Sequence, residues 1–183
     1  MTNDQPILKG EKTSLRPVRE ADLPPLTAWA NEPEVRYWLH HSEREDATVD
    51  DARDVYLSSD EHLLSLAIEN GAGALIGVVR LIKIDRAHGR AELAIMIGDQ
   101  TAWGKGYGTD AIRLLLRHAF EDIGLRRVEL ITDADNDRGI RSYEKCGFVR
   151  EGVLRKHRLR HGQPLDMIVM SILKEEFEEK PWK

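Results

Sequence analysis

The chain has 183 residues, 41% of them hydrophobic, and 27 Lys and Arg against 32 Asp and Glu give a formal net charge of −5. That size buries one substantial core and not two. No apolar run approaches the roughly 20 residues of a membrane span, and the polar start lacks the basic and apolar regions of an export signal. An acidic balance with no long basic run argues against nucleic-acid binding by phosphate neutralisation, so one cytoplasmic domain is expected. The lone cysteine, Cys146, has no partner for an internal disulfide and reads as a small packed residue rather than a nucleophile.

In chain order the pattern predicts a strand over residues 13–18, then helices over 21–31 and 49–58, the second opened by Thr48 or Asp50 as cap. Strands follow over 63–68, 75–84 and 91–97, separated by the turn-forming stretches 69–73 and 85–89. Next come a helix over 109–122, a strand over 127–133, a helix over 138–145 and a strand pair over 149–160 and 167–173. Residues 174–183 read as a charged, frayed tail. Runs of strands mixed with helices give an α+β fold on a mostly antiparallel sheet.

The junction after residue 97 is the most informative stretch. Trp103-Gly-Lys-Gly-Tyr-Gly-Thr109 leads into a helix with Ile112, Leu115, Leu116, Ala119 and Phe120 on one face and Asp110, Arg113, Arg117 and Glu121 on the other. Bare backbone there can approach a phosphate, and the free N–H groups and dipole of the helix start favour an anion. The spacing excludes a Walker loop, because Gly98 lies one residue too far from Gly104 and Lys105 is followed by Gly106. Gly104, Gly106 and Gly108 also miss the Gly-x-Gly-x-x-Gly spacing of a dinucleotide fold. A second motif, Asn136-Asp-Arg-Gly-Ile-Arg-Ser-Tyr-Glu-Lys-Cys-Gly-Phe148, follows an apolar strand, with Asn136 placed to cap a short helix that Gly147 closes.

In order and separation these two motifs resemble those of the GNAT acetyltransferases, and most closely the branch of ribosomal-protein N-terminal and polyamine acetyltransferases. The likeness extends to Ser14 through Leu23 as opening strand and helix, and to residues 151–154 and 162–173 as closing hairpin. One departure is Trp103, where the family's loop usually begins with Gln or Arg. The resemblance implies a mixed, mostly antiparallel seven-stranded sheet flanked by about four helices, with a splay between the strands ending at Ile97 and Asp133. It implies acetyl-coenzyme A as cosubstrate, an amine acceptor, no metal and a homodimer. The acceptor stays open between a protein N-terminus and a small amine such as a polyamine or aminoglycoside. A non-catalytic acyl-coenzyme A sensor on the same fold is the alternative.

The resemblance places the pyrophosphate against Gly104, Lys105, Gly106, Tyr107, Gly108 and Thr109, the pantetheine against the backbone of Met96 and Ile97, and Asn136 and Arg141 beside the cofactor. It makes Tyr143 the general acid that protonates the departing sulfur, a task a neutral phenol suits. Glu92 shares a strand face with Ala94 and Met96, so it is either a partly desolvated general base or the partner of Arg90 or Arg80 in a salt bridge. Tyr37, Trp38, His40 and Glu43 fall in the segment where the family recognises its acceptor. An aromatic pair beside carboxylates can hold an ammonium group, or Tyr37 and Trp38 can be core. His40 and His41 lack further ligands at metal-binding spacing.

Overall fold

The computed structural model describes residues 7–39 and 46–178. A short strand β1 (Leu8–Lys9) and β2 (Thr13–Pro17) lead through a 3-10 turn into α1 (Leu23–Asn31), which tolerates Pro24 and Pro25 because they fall in its first turn. After α2 (Pro33–Arg36) comes α3 (Val49–Tyr56), opened by a reciprocal cap in which the Thr48 hydroxyl accepts from the Asp51 amide and the Asp51 carboxylate accepts from the Thr48 amide. Strands β3 (Leu64–Asn70), β4 (Leu75–Asp85) and β5 (Arg90–Ile97) form a meander. The rest is α4 (Tyr107–Arg117), β6 (Arg127–Asp133), α5 (Asp137–Lys145), β7 (Val149–Arg160), β8 (Gln163–Leu173) and α6 (Lys174–Glu178).

The strands make one sheet in the order β1-β2-β3-β4-β5-β6-β8-β7. Every neighbouring pair is antiparallel except β5 with β6. Period-2 alternation divides its side chains between two layers. Leu66, Ile68, Val79, Leu81, Leu93, Val128 and Leu130 pack with Leu115, Leu116 and Phe120 of the α4 region, whereas Ala67, Val78 and Met96 pack with Leu23, Leu26, Val35 and Ala52 from α1 to α3. Leu93, with Ile95 and Ile97 packed alongside, thus faces one layer and Met96 the other, as alternation predicts.

Three expectations need correction. The described residues hold eight strands rather than seven, because Leu8 and Lys9 pair with Leu15 and Ser14 in a strand too short to show periodicity. They hold six α-helices rather than about four, the extra ones being the four-residue α2 and five-residue α6. The start of the tail is not frayed: α6 buries Phe177, 4% exposed, with its ring 5.4 Å from that of Phe120.

Candidate active site

The parallel ladder between β5 and β6 runs only over Arg90↔Arg127, Ala91↔Val128 and Glu92↔Glu129. Beyond that, β5 stays with β4 as far as Ile97↔Gly77 and β6 stays with β8 as far as Asp133↔Met167. The two strands therefore part, leaving unpaired main chain on either side of a gap in the middle of the sheet.

The glycine loop sits at the open end of this gap. Gly104 (φ +73°) and Gly106 (φ +85°) occupy the left-handed region, which a side chain would disfavour by about 1 kcal/mol or more. Gly106 is the cap residue of α4, and no side chain caps that helix. The first-turn amides are thus left to a ligand or to water, at the positive end of the helix. Gly108 is different: a Cβ there would make only ordinary contacts with Ile97 and Ile95, at 3.7 and 4.0 Å. Lys105 is exposed in the loop.

Along β5, Gly98 N donates to Ile76 O and Met96 pairs with Val78. Alternation of ladder bonds then turns the Met96 backbone toward β4 and that of Ile97 toward the gap. A Cβ on Gly77 would collide with the Met96 carbonyl oxygen, which agrees. The Ile97 carbonyl already accepts from Trp103 Nε1 at 2.7 Å, and the Arg138 guanidinium stacks over the Trp103 ring at 3.8 Å. Trp103 thus joins the loop after β5 to α5, which follows β6.

Helices α4 and α5 are tied together by Thr109 Oγ1 and Ser142 Oγ at 2.9 Å and by Arg113 donating to the Lys145 carbonyl at 3.0 Å. Burial pushes the Cys146 thiol up to about 12, so it stays neutral, as a packed residue should. Tyr143 is half-buried, its ring 6.0 Å from that of Phe148. Burial first, and then the nearby Cys146, push its phenol up to about 12. Among the described residues, none engages the Tyr143 hydroxyl. The Asn136 side chain is used at both ends: Oδ1 caps the Gly139 amide at 3.0 Å and Nδ2 donates to Thr132 Oγ1 at 3.1 Å. Arg141 is exposed one turn further on.

Glu92 lies at the vertex where the strands part, its side chain 17% exposed and ion-paired with Lys83 Nζ at 2.6 Å. Neither expected partner is used. Arg90 pairs with Asp85 at 3.5 Å, and Arg80 donates to Ser65 Oγ and the Val55 carbonyl. Lys83 takes that place because a bulge between Ile82 and Asp85, with Lys83 at φ +52°, redirects its side chain.

Tyr37 and Trp38 form an edge-on pair, 4.8 Å between centroids, just after α2. Their ring faces are occupied by the chain's own cation: the Arg160 guanidinium lies 4.0 Å from the Tyr37 centroid and 5.4 Å from that of Trp38, and donates to the Tyr37 hydroxyl at 2.6 Å. Arg160 also pairs with Asp133 at 2.6 Å and Asp135 at 2.8 Å, while Arg158 pairs with Asp133 at 2.5 Å and donates to the Leu39 carbonyl. This cluster at the C-terminal end of β6 went unread in the sequence. Arg158 and Arg160 at i, i+2 on a strand were the local signal for its basic half. His40 and Glu43 lie outside the described residues. Among the described residues, no group of three or more His, Cys, Asp or Glu side chains could hold a metal ion, and no helix is long and apolar enough to cross a membrane.

A family model described as an acetyltransferase (GNAT) domain matches residues 12–149. The spermidine N(1)-acetyltransferase of Escherichia coli K12 is 30% identical over 164 residues, covering 89% of this chain and 87% of the relative. The putative ribosomal N-acetyltransferase YdaF of Bacillus subtilis is 33% identical over 106 residues, or 58% of this chain and 57% of the relative. The crystal structure of spermidine N-acetyltransferase from Vibrio cholerae in complex with CoA and spermine aligns with a TM-score of 0.83 at 26% identity, covering 91% of this chain and 98% of that one. The split central sheet with an uncapped helix at its mouth suits the coenzyme A seen in the V. cholerae relative, and the chain belongs to the GNAT acetyltransferases. It is an acetyl-coenzyme A dependent N-acetyltransferase.

Proposed function

We propose that this enzyme acetylates a primary amine of a small polyamine such as spermidine, by direct transfer in a ternary complex. The observation that carries the reading is the parting of β5 and β6 after Glu92 and Glu129, beneath the uncapped start of α4. The acceptor class is supported by the likeness to the E. coli spermidine enzyme over 89% of this chain, against 58% for the ribosomal relative.

The residues present fit the cosubstrate. Amides of Gly104 to Thr109 would hold its diphosphate, Lys105 and Arg141 would offset phosphate charge, and the Ile97 amide, turned into the gap, would meet the pantetheine end. Bound acetyl-coenzyme A supplies the acyl thioester. What remains is proton handling, since an alkylammonium (pKa about 10.4) must lose a proton and a thiolate (about 8.5) must gain one. In this reading Tyr143 holds the proton for the sulfur. Glu92 accepts the amine's proton through water, because Lys83 holds one of its oxygens. Asn136 acts as the cap that fixes α5, and so sets the position of Tyr143. Tyr37 and Trp38 shape the acceptor end through Arg160.

The test is release of coenzyme A thiol in the presence of spermidine, a simple monoamine, an aminoglycoside and a peptide with a free N-terminus. Turnover on spermidine well above the others is expected; a peptide preferred over every small amine would overturn the acceptor assignment. For Glu92→Gln, kcat/KM at neutral pH is expected to fall about a hundredfold and the acidic limb of the pH–rate profile to vanish. An unchanged acidic limb would remove Glu92 from the proton path.

A further inference from the structure

The turn between β1 and β2 reaches across to the glycine loop. Lys12 Nζ donates to the Lys105 carbonyl oxygen at 3.0 Å, and a Cβ built on Gly106 would stand 3.1 Å from the same ammonium. The turn is firmly held there by Asp110, in the first turn of α4. Its Oδ2 accepts from the Lys12 amide at 3.1 Å, the Thr13 amide at 2.9 Å and the Thr13 hydroxyl at 2.7 Å. Gly10 permits this approach, since a Cβ there would come within 2.5 Å of Asp110 Oδ2.

A carboxylate in the first turn of a helix favours the helix but repels an anion at the same terminus. In this protein that carboxylate is engaged by three donors, and a lysine ammonium from the far edge of the sheet stands over the left-handed residue that opens the uncapped helix. A second effect concerns the loop carbonyl. A carbonyl oxygen turned toward a diphosphate would repel it, whereas the Lys105 oxygen is occupied by Lys12. From these contacts we infer that Lys12 is a cofactor-binding residue: its ammonium offsets the charge of the coenzyme's diphosphate and keeps the Lys105 carbonyl engaged, so that the loop amides face the phosphates. The inference rests on the reading that residues 104–109 hold that diphosphate. It assigns the site a side-chain cation from β1–β2, some 90 residues upstream of the loop itself.

Calorimetric titration of coenzyme A into wild type, Lys12→Met and Lys12→Arg at low and high salt tests it. Lys12→Met should bind about three- to tenfold more weakly at low salt, and its affinity should depend less on salt than that of wild type, because an exposed charge is screened. Lys12→Arg should recover most of the loss. The deficit should persist with dephosphocoenzyme A, which lacks the ribose phosphate but keeps the diphosphate. Equal affinity and equal salt dependence in wild type and Lys12→Met would overturn the assignment. So would an Arg variant as weak as the Met variant, or a deficit that disappears with dephosphocoenzyme A. A wild type that takes up no coenzyme A fails the underlying reading instead.

Discussion

Tyr143→Phe is expected to lower kcat by about two orders of magnitude while coenzyme A affinity stays as in wild type, which is the loss general-acid catalysis carries. The substitution removes one oxygen from a half-buried ring that keeps its contact with Phe148, so packing changes little. Pre-steady-state acetyl transfer and calorimetry measure the two quantities separately; unchanged turnover would leave Tyr143 a packing residue. The pH dependence is a sharper check. With its phenol pushed up to about 12, Tyr143 stays protonated through the whole working range and can produce no basic limb near neutrality. Linkage gives the sign for stability: a tyrosine ionising near 10 when unfolded and near 12 when folded keeps its proton longer in the native state. Its contribution is intact below pH 10 and lost as pH rises toward 12. Tyr143→Phe should remove that part of the alkaline decline.

The features legible in the sequence were those with a local cause. β6 and β7 have the expected limits, Arg127–Asp133 and Val149–Arg160: apolar alternation marks β6, and the Gly147 and Gly162 turns on either side mark β7. The glycine loop was conspicuous because three bare residues precede an amphipathic helix. α4 nevertheless starts at Tyr107, two residues early, since a left-handed Gly106 serves as its cap. β8 starts at Gln163, four residues early, because its first part lies opposite β7 in an exposed hairpin whose residues show no apolar alternation. The unread parts depend on distant partners. Asp110 falls on the helix face opposite the apolar stripe, which gives no sign that its carboxylate anchors Lys12 and Thr13 from near the start of the chain. Phe177 sits alone among charges, and its burial comes from joining the main core beside Phe120. Tyr37 and Trp38 did mark a cation site, but the sequence cannot say that Arg160, 123 residues after Tyr37, fills it.

Arg160→Met is expected to lower unfolding free energy by about 3 kcal/mol, the lower end of what breaking a buried ion pair costs, because Arg158 still serves Asp133. Arg160 is 5% exposed and Asp133 2%, so the carboxylate left behind gains little help from water. Methionine keeps most of the volume, which confines the change to charge, hydrogen bonds and stacking on Tyr37. Urea unfolding of Arg160→Met, Asp133→Leu and the double variant separates these terms. If the pair is coupled, the double variant should lose clearly less than the sum of the singles; strict additivity would mean that Arg160 acts through Asp135, Tyr37 and packing rather than through Asp133. Acid adds an independent reading. Arg160 holds the Asp135 carboxyl below its usual 3.8, so that carboxylate's contribution is present above pH 3.8 and is lost as pH falls through the lower folded value. Wild type should therefore surrender stability in that acid window, and Arg160→Met, with the partner gone, should show a shallower decline there.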